Sequence, residues 1–271
     1  MIKALFFDLD GTLLNSEKKI PLSAKNAIRA CREKGIQVFL ASARSPRLKE
    51  TLGWGDDEFT LFDGGIYSNG GYMEAAGEQR YAFIDAETVK KCVEAVCKAE
   101  NVHLSLHTPG HGYAFNFQPD DDLMQGWGVD EENLRPLNEE TMGQTAKMLV
   151  FWRNLIGETQ LMPEELCREM QNICDGKAHL YITDHGAAMQ VTSLEAGKKA
   201  AVDAVRMKLG LAEDEIAVFG DDLNDLEIIS AYPNAVAMGN GVEEVKKAAR
   251  YQTLANDEDG IAHAIGMLGL I

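Results

Sequence analysis

The chain opens on an apolar run, Ile2 and Ala4 to Phe7, that stops at Asp8-Leu9-Asp10-Gly11. The run reads as a buried strand. Two carboxylates two residues apart at its end are hard for a fold to tolerate. At about 4 Å and an effective dielectric near 20, two such charges repel by roughly 4 kcal/mol. A chain that places them there needs a cation beside them or a reaction for them to perform. An Asp-Gly turn after a strand is common on its own, so the rest of the chain has to decide between the two readings.

Strands and helices alternate around this segment. Ser23 is placed to cap a helix whose Ala24, Ala27, Ile28 and Cys31 fall at helical spacing, and Gly35 ends it. Ile36 to Ala41 is the next strand, which completes a βαβ unit with parallel strands and a right-handed crossover. The last part repeats the pattern. Ala201, Val202, Val205 and Leu209 form a helical stripe closed by Gly210. Ile216 to Phe219 and Ala235 to Met238 are short strands, and a final helix starts near Gly260-Ile261.

The middle differs. Val102 to Leu106, Tyr113 to Phe117, Lys147 to Trp152 and His179 to Ile182 read as strands, mixed with a helix over Ala86 to Ala99. Pro109, Gly110 and Gly112 suggest hairpins, and hence a mainly antiparallel sheet with helices on one face. The expectation is an α/β fold: a parallel-sheet, Rossmann-like core made of residues 1–80 and 187–271, with an α+β domain inserted over 81–186.

Composition narrows the partners. The 271 residues, 45% hydrophobic and 25% charged, suit one large or two ordinary domains. A net charge of −17 argues against nucleic acid and against an anionic membrane surface. An acidic protein handling anionic small molecules must supply positive charge locally, through a metal ion and a few placed Lys or Arg. No apolar stretch approaches the roughly 20 residues that span a bilayer, and no leader pattern precedes Asp8. Five scattered cysteines without a CxxC pair fit a reducing, cytoplasmic setting.

Ligands of open parallel sheets sit beyond the C-terminal strand ends, and four such ends here carry reactive residues. The first offers Asp8 and Asp10. The second, Ala41-Ser42-Ala43-Arg44, offers a hydroxyl and backbone N–H groups at an expected helix start, a cradle suited to phosphate. The third is Gly220-Asp221-Asp222-Leu223-Asn224-Asp225, and the fourth is Met238-Gly239-Asn240. Lys198 precedes the helix leading into the third. Four carboxylates (Asp8, Asp10, Asp221, Asp225) with one lysine and one hydroxyl are neutralised sensibly by Mg²⁺, which takes carboxylates, carbonyls and phosphate oxygens.

The order and spacing of these segments resemble the haloacid dehalogenase superfamily, and within it the Cof-type phosphatases with the larger α/β (type IIB) cap. The resemblance runs the whole length. It includes Ile66-Tyr67-Ser68-Asn69-Gly70-Gly71, Val191-Thr192 followed by Gly197-Lys198, Ala237 to Gly241, and Asp259-Gly260-Ile261-Ala262. Ala43 and Lys199 stand where that family usually has glycine, and both are tolerable there.

The resemblance implies roles. Asp8 would be the nucleophile and a metal ligand. Asp10 would act as acid and base, with its carbonyl on the metal. Asp221 would complete the protein ligands of Mg²⁺, and Asp225 would support the metal shell or orient Lys198. Ser42, the backbone at Leu9 and Ala43, Lys198 and Asn224 would hold phosphoryl oxygens, with Arg44 and Asn69 beside them. The inserted domain would select the substrate, a small phosphorylated metabolite with sugar phosphates first among them, and the chain would be a monomer or weak homodimer. Three rivals compete: a phosphomutase using the same aspartyl-phosphate, a haloalkanoate dehalogenase (disfavoured by Asp10 and Asp221), and a non-catalytic phospho-ligand-binding protein. His103, His107 and His111 read as ordinary residues of the inserted domain, Trp127 and Trp152 as packing, and Asp120 to Asp122 as a solvated loop or helix start. Loop residues His111 and His185 are the candidates there for touching substrate.

Overall fold

A computed structural model of the protein describes residues 1–152, 160–183 and 186–271. The chain forms two compact units, 1–80 with 197–271, and 81–196. It runs first through β1 (Ala4–Phe7), β2 (Gln37–Ala41), β3 (Gly64–Tyr67), β4 (Tyr72–Ala75) and β5 (Glu78–Tyr81). The second unit holds β6 (Val102–Thr108), β7 (Gly112–Phe115), β8 (Lys147–Trp152), β9 (Ala178–Thr183) and β10 (Ala188–Ser193). The chain then returns through β11 (Ile216–Gly220), β12 (Ala235–Ala237) and β13 (Tyr251–Gln252).

The first unit is built on a sheet of order β13-β12-β11-β1-β2-β3-β4-β5. Its strands run parallel from β13 to β3, and β4 turns back antiparallel on β3. The apolar run puts β1 at the centre, where all four of its residues are fully buried. Phe6 stacks on Phe39 at 5.1 Å between ring centroids, and Phe7 lies 4.4 Å from Phe219. On the Phe6 face pack Val202 and Val205 of the helix Lys198–Lys208, with Ile228, Ile229 and Val245. Strand register decides which residues meet at the strand ends. Phe7 pairs with Phe219 on one side and Leu40 on the other, so residues 8, 41–42 and 220–221 emerge together at one sheet edge.

The helix Leu22–Glu33 buries the expected stripe, Ala24, Ala27, Ile28 and Cys31. Ser23 does not cap it. Pro21, with φ of −55°, stands at the helix start, and the Ser23 hydroxyl donates to Asp259 of the last segment instead.

In the second unit the strand order is β7-β6-β8-β10-β9, antiparallel throughout. The helices Ala86–Lys98 and Glu164–Cys174 cover one face through Val89, Val93, Val96, Leu166 and Met170. A smaller cluster of Tyr113, Phe115 and Val129 takes in Trp127 as packing, and Trp152 lies against the main cluster. Asp120 caps the helix Asp121–Trp127. The expected boundary at 186/187 moves to 196/197 because β10 pairs with β8 and β9 on its two sides, which makes it an interior strand of the second sheet. Among the described residues no helix is long and apolar enough to cross a membrane.

Candidate active site

Asp8 follows β1 directly and is 5% exposed; its N–H still donates to Phe219 in the sheet, at 3.0 Å. The chain then turns sharply. The carbonyl of Leu9 accepts from Thr12 and Leu14, and the carbonyl of Asp8 from Leu13. Gly11 carries the turn at φ +77°, and a Cβ there would lie 2.2 Å from Asp221 Oδ2, so both conformation and space demand glycine. The turn lets Thr12 donate its hydroxyl to Asp221 Oδ1 at 2.6 Å.

Lys198 opens the helix Lys198–Lys208 after Gly197, and its Nζ donates to Asp8 Oδ1 and Asp225 Oδ1, both at 2.6 Å. The start of that helix is located by the turn after β3. Ser68 and Asn69 both take positive φ, and a Cβ on Gly70 would lie 2.6 Å from the Gly197 carbonyl oxygen. Asp225 uses its second oxygen to accept from the N–H groups of Asp221 and Asp222, at 3.1 and 3.3 Å. It therefore holds the lysine and shapes the Gly220-Asp221-Asp222 loop at once.

Carboxylate oxygens of Asp8, Asp221 and Asp225 all come within 4.8 Å of one another. Burial pushes the Asp8 carboxyl up to about 8; Lys198 opposes this, while Asp225 and Asp221 add to it. Burial likewise raises Asp221 to about 6, against the Thr12 hydrogen bond. Burial alone would lower Lys198, but Asp225 and Asp8 more than offset it and keep the ammonium charged. Three carboxylates whose negative charge exceeds that of their single lysine suit a hard divalent cation.

Asp10 stands apart from this cluster. Its carboxylate accepts from Arg44 Nη2 at 2.7 Å, from Arg44 Nε, and from Lys18 Nζ at 2.7 Å. Burial would raise its pKa, but those bonds and charges hold it below the usual range. Ser42 is buried at the end of β2, but no helix begins there: the next one is Leu48–Leu52. The Ser42 N–H is taken by Ile66 and the Arg44 N–H by the Ser42 hydroxyl, at 2.8 and 3.1 Å. Asn69 donates its N–H to the Ser42 carbonyl at 3.0 Å and accepts from Asn224 Nδ2 at 3.4 Å. Asp8, Asp10, Ser42, Arg44, Asn69, Lys198, Asp221, Asn224 and Asp225 thus lie along one linked edge. Asn240, from the fourth expected strand end, donates to the Gly11 carbonyl at 2.8 Å, and Lys18 and Thr12 join the edge unforeseen. Thr12 directly follows Asp8-Leu9-Asp10-Gly11 in the chain, while Lys18 carried no signal. His111 sits in the β6–β7 turn, and His185 lies outside the described residues.

The haloacid dehalogenase-like hydrolase family matches residues 5–265. A 5-amino-6-(5-phospho-D-ribitylamino)uracil phosphatase of Bacillus subtilis strain 168, YcsE, is 25% identical over 97% of this chain and 94% of its own. A subclass IIB sugar phosphatase of the same superfamily has a solved structure with TM-score 0.77 and 28% identity, covering 99% of this chain and all of that one. A haloacid dehalogenase-like hydrolase from Bacteroides thetaiotaomicron superposes with TM-score 0.78 and 25% identity over 99% and 100% of the two chains. Sequence, fold and the edge cluster agree: the chain belongs to the haloacid dehalogenase-like hydrolase family, as an enzyme of phosphatase type.

Proposed function

We propose that this enzyme is a Mg²⁺-dependent phosphatase of small phosphorylated metabolites, sugar phosphates first, working through an aspartyl-phosphate on Asp8. The observation that supports this most is the buried Asp8 carboxylate paired at 2.6 Å with Lys198 and flanked by Asp221 and Asp225. In this reading an Asp8 oxygen attacks phosphorus while the bond to the leaving alcohol breaks. Asp10, freed from Arg44 and Lys18 and protonated when substrate binds, gives that oxygen a proton, then takes one from the water that attacks the phosphorus of the acyl phosphate, releasing phosphate and restoring Asp8. Lys198 faces the charge on the transferring oxygens, and Asp225 is its positioning residue. Asp8 and Asp221, with the carbonyl of Asp10, would hold Mg²⁺, which supplies positive charge to the phosphoryl group. Asp225, with both oxygens engaged, fits the role of orienting Lys198. The second unit, on the same reading, selects the substrate.

Phosphate release from p-nitrophenyl phosphate and from a panel of phosphorylated metabolites, with and without Mg²⁺, tests this. Release that needs Mg²⁺ and favours sugar phosphates is expected. Turnover that persists in excess chelator would overturn the metal assignment, and no release from any substrate would overturn the phosphatase reading itself.

A further inference from the structure

The sheet of the second unit has two unlike faces. Side chains alternate along each strand, so Leu104, Leu106, Met148, Val150, Met189 and Val191 share the face that enters the helix-covered apolar cluster. The alternate positions carry a polar row on the other face. His107 lies opposite Lys147 across β6 and β8, and Lys147 lies opposite Thr192 across β8 and β10. Gln190 shares that face two residues before Thr192. Directly opposed residues stand about 5 Å apart at Cβ, so His107 and Thr192 flank Lys147 from its two sides, about 10 Å from each other, with Gln190 next to Thr192 along β10. Thr192 has no exposed area, and Lys147 is 6% exposed.

Among the described residues, His107 Nδ1, Gln190 Oε1 and Thr192 Oγ1 are buried without a hydrogen-bond partner. Buried polar groups are almost always paired. Three orphans on the strands either side of a buried lysine therefore point to an extended ligand that completes them. Their chemistry narrows its class. Burial and the neighbouring ammonium push His107 down to about 3, so its imidazole is neutral, with Nε2 3.3 Å from the Ser105 hydroxyl. Gln190 Oε1 only accepts, Lys147 only donates, and Thr192 does both. A phosphate dianion or a carboxylate has no proton to give Gln190 and would meet a single cation. An apolar group would leave every orphan unpaired. Neighbouring hydroxyls, which both donate and accept, satisfy the whole set.

We propose that His107, Lys147, Gln190 and Thr192 form a binding site for the polyhydroxyl part of a sugar or sugar-alcohol ligand on the second unit. That this ligand is a substrate rests on the phosphatase reading. Thr192→Val and Gln190→Leu each remove one orphan. The ratio of kcat/KM on sorbitol 6-phosphate to that on p-nitrophenyl phosphate should fall about tenfold in each variant, through KM, as loss of one hydrogen bond implies. Thr192→Val should also raise the melting temperature of the unliganded protein, because a buried hydroxyl without a partner is removed. A hydroxyl that holds the fold together would lower it. An unchanged ratio, or a lowered melting temperature, overturns the site.

A second arm does not need turnover: free sorbitol titrated into the whole protein, followed at the side-chain amide of Gln190 by NMR. A saturable shift that Thr192→Val abolishes supports the site, even if no phosphate ester is hydrolysed and the phosphatase reading falls. No shift overturns it, and a shift produced by inorganic phosphate instead makes this an anion site and overturns the polyol assignment.

Discussion

Asp8→Asn should inactivate the enzyme and, without metal, make it more stable. The wild-type carboxyl is pushed up to about 8 from the ordinary 3.8, chiefly by burial. The sign comes from the direction of that shift. A carboxyl that binds its proton more tightly folded than unfolded loses nothing below pH 3.8. Its penalty grows as the pH rises towards 8. At pH 7 the gap from the unfolded value is about three units, or about 4 kcal/mol at about 1.4 kcal/mol per unit. That shift already includes the pairing with Lys198, but the buried amide carries a desolvation cost of its own, so roughly half the figure, about 2 kcal/mol, is the expected net gain. For chains of this size that is about 4–8 °C.

Calorimetry in chelator at pH 7 and again near pH 4 reads both the gain and its disappearance. Each unit can unfold separately, so the transition to monitor is the one that Mg²⁺ shifts in the wild type. A variant less stable than wild type at pH 7, or a gain that does not change between the two pH values, would refute the reasoning.

Two further outcomes are expected. Mg²⁺ should raise the wild-type melting temperature more at pH 8 than at pH 5, because Asp8 and Asp221 are both raised and must lose protons to ligate; Asp221→Ala should shrink that rise, as thermal denaturation at both pH values would show. Asp10→Asn should lose about 10²–10⁴-fold on alkyl phosphates but much less on p-nitrophenyl phosphate, whose leaving group needs no proton; equal losses on both would remove the acid/base role.

Much of the first unit was legible because its strands are short, wholly apolar and end on polar residues. β1, β2, β11 and β12 all lie within a residue or two of their expected places, and with them Asp8, Ser42 and Asp221. The β4–β5 hairpin was not legible, since Glu78, Gln79 and Arg80 lie exposed and show no alternation. Residues from 187 on read as part of the core, with Val191-Thr192 leading to Gly197-Lys198, and only the pairing of Ala188–Ser193 on both sides reveals a strand of the second sheet. The helix expected at Ser42 fails because Ser42 and Ser68 tie their N–H groups to Ile66 and Arg44, which holds residues 42–47 as a loop. Thr12 reaches Asp221 across 209 positions of sequence, and Lys147 meets His107 only through strand register. No local spacing encodes either contact.

The covalent use of Asp8 is the centre of the proposal. Rapid acid quench of the enzyme during turnover of p-nitrophenyl phosphate with Mg²⁺, then mass spectrometry of the peptide containing Asp8, measures it directly. A phosphoryl group on Asp8 that forms within one turnover, decays once substrate is exhausted, and is absent from Asp8→Asn is the expected result. Steady phosphate release with Asp8 never modified, or from Asp8→Asn at a rate near that of wild type, would contradict it.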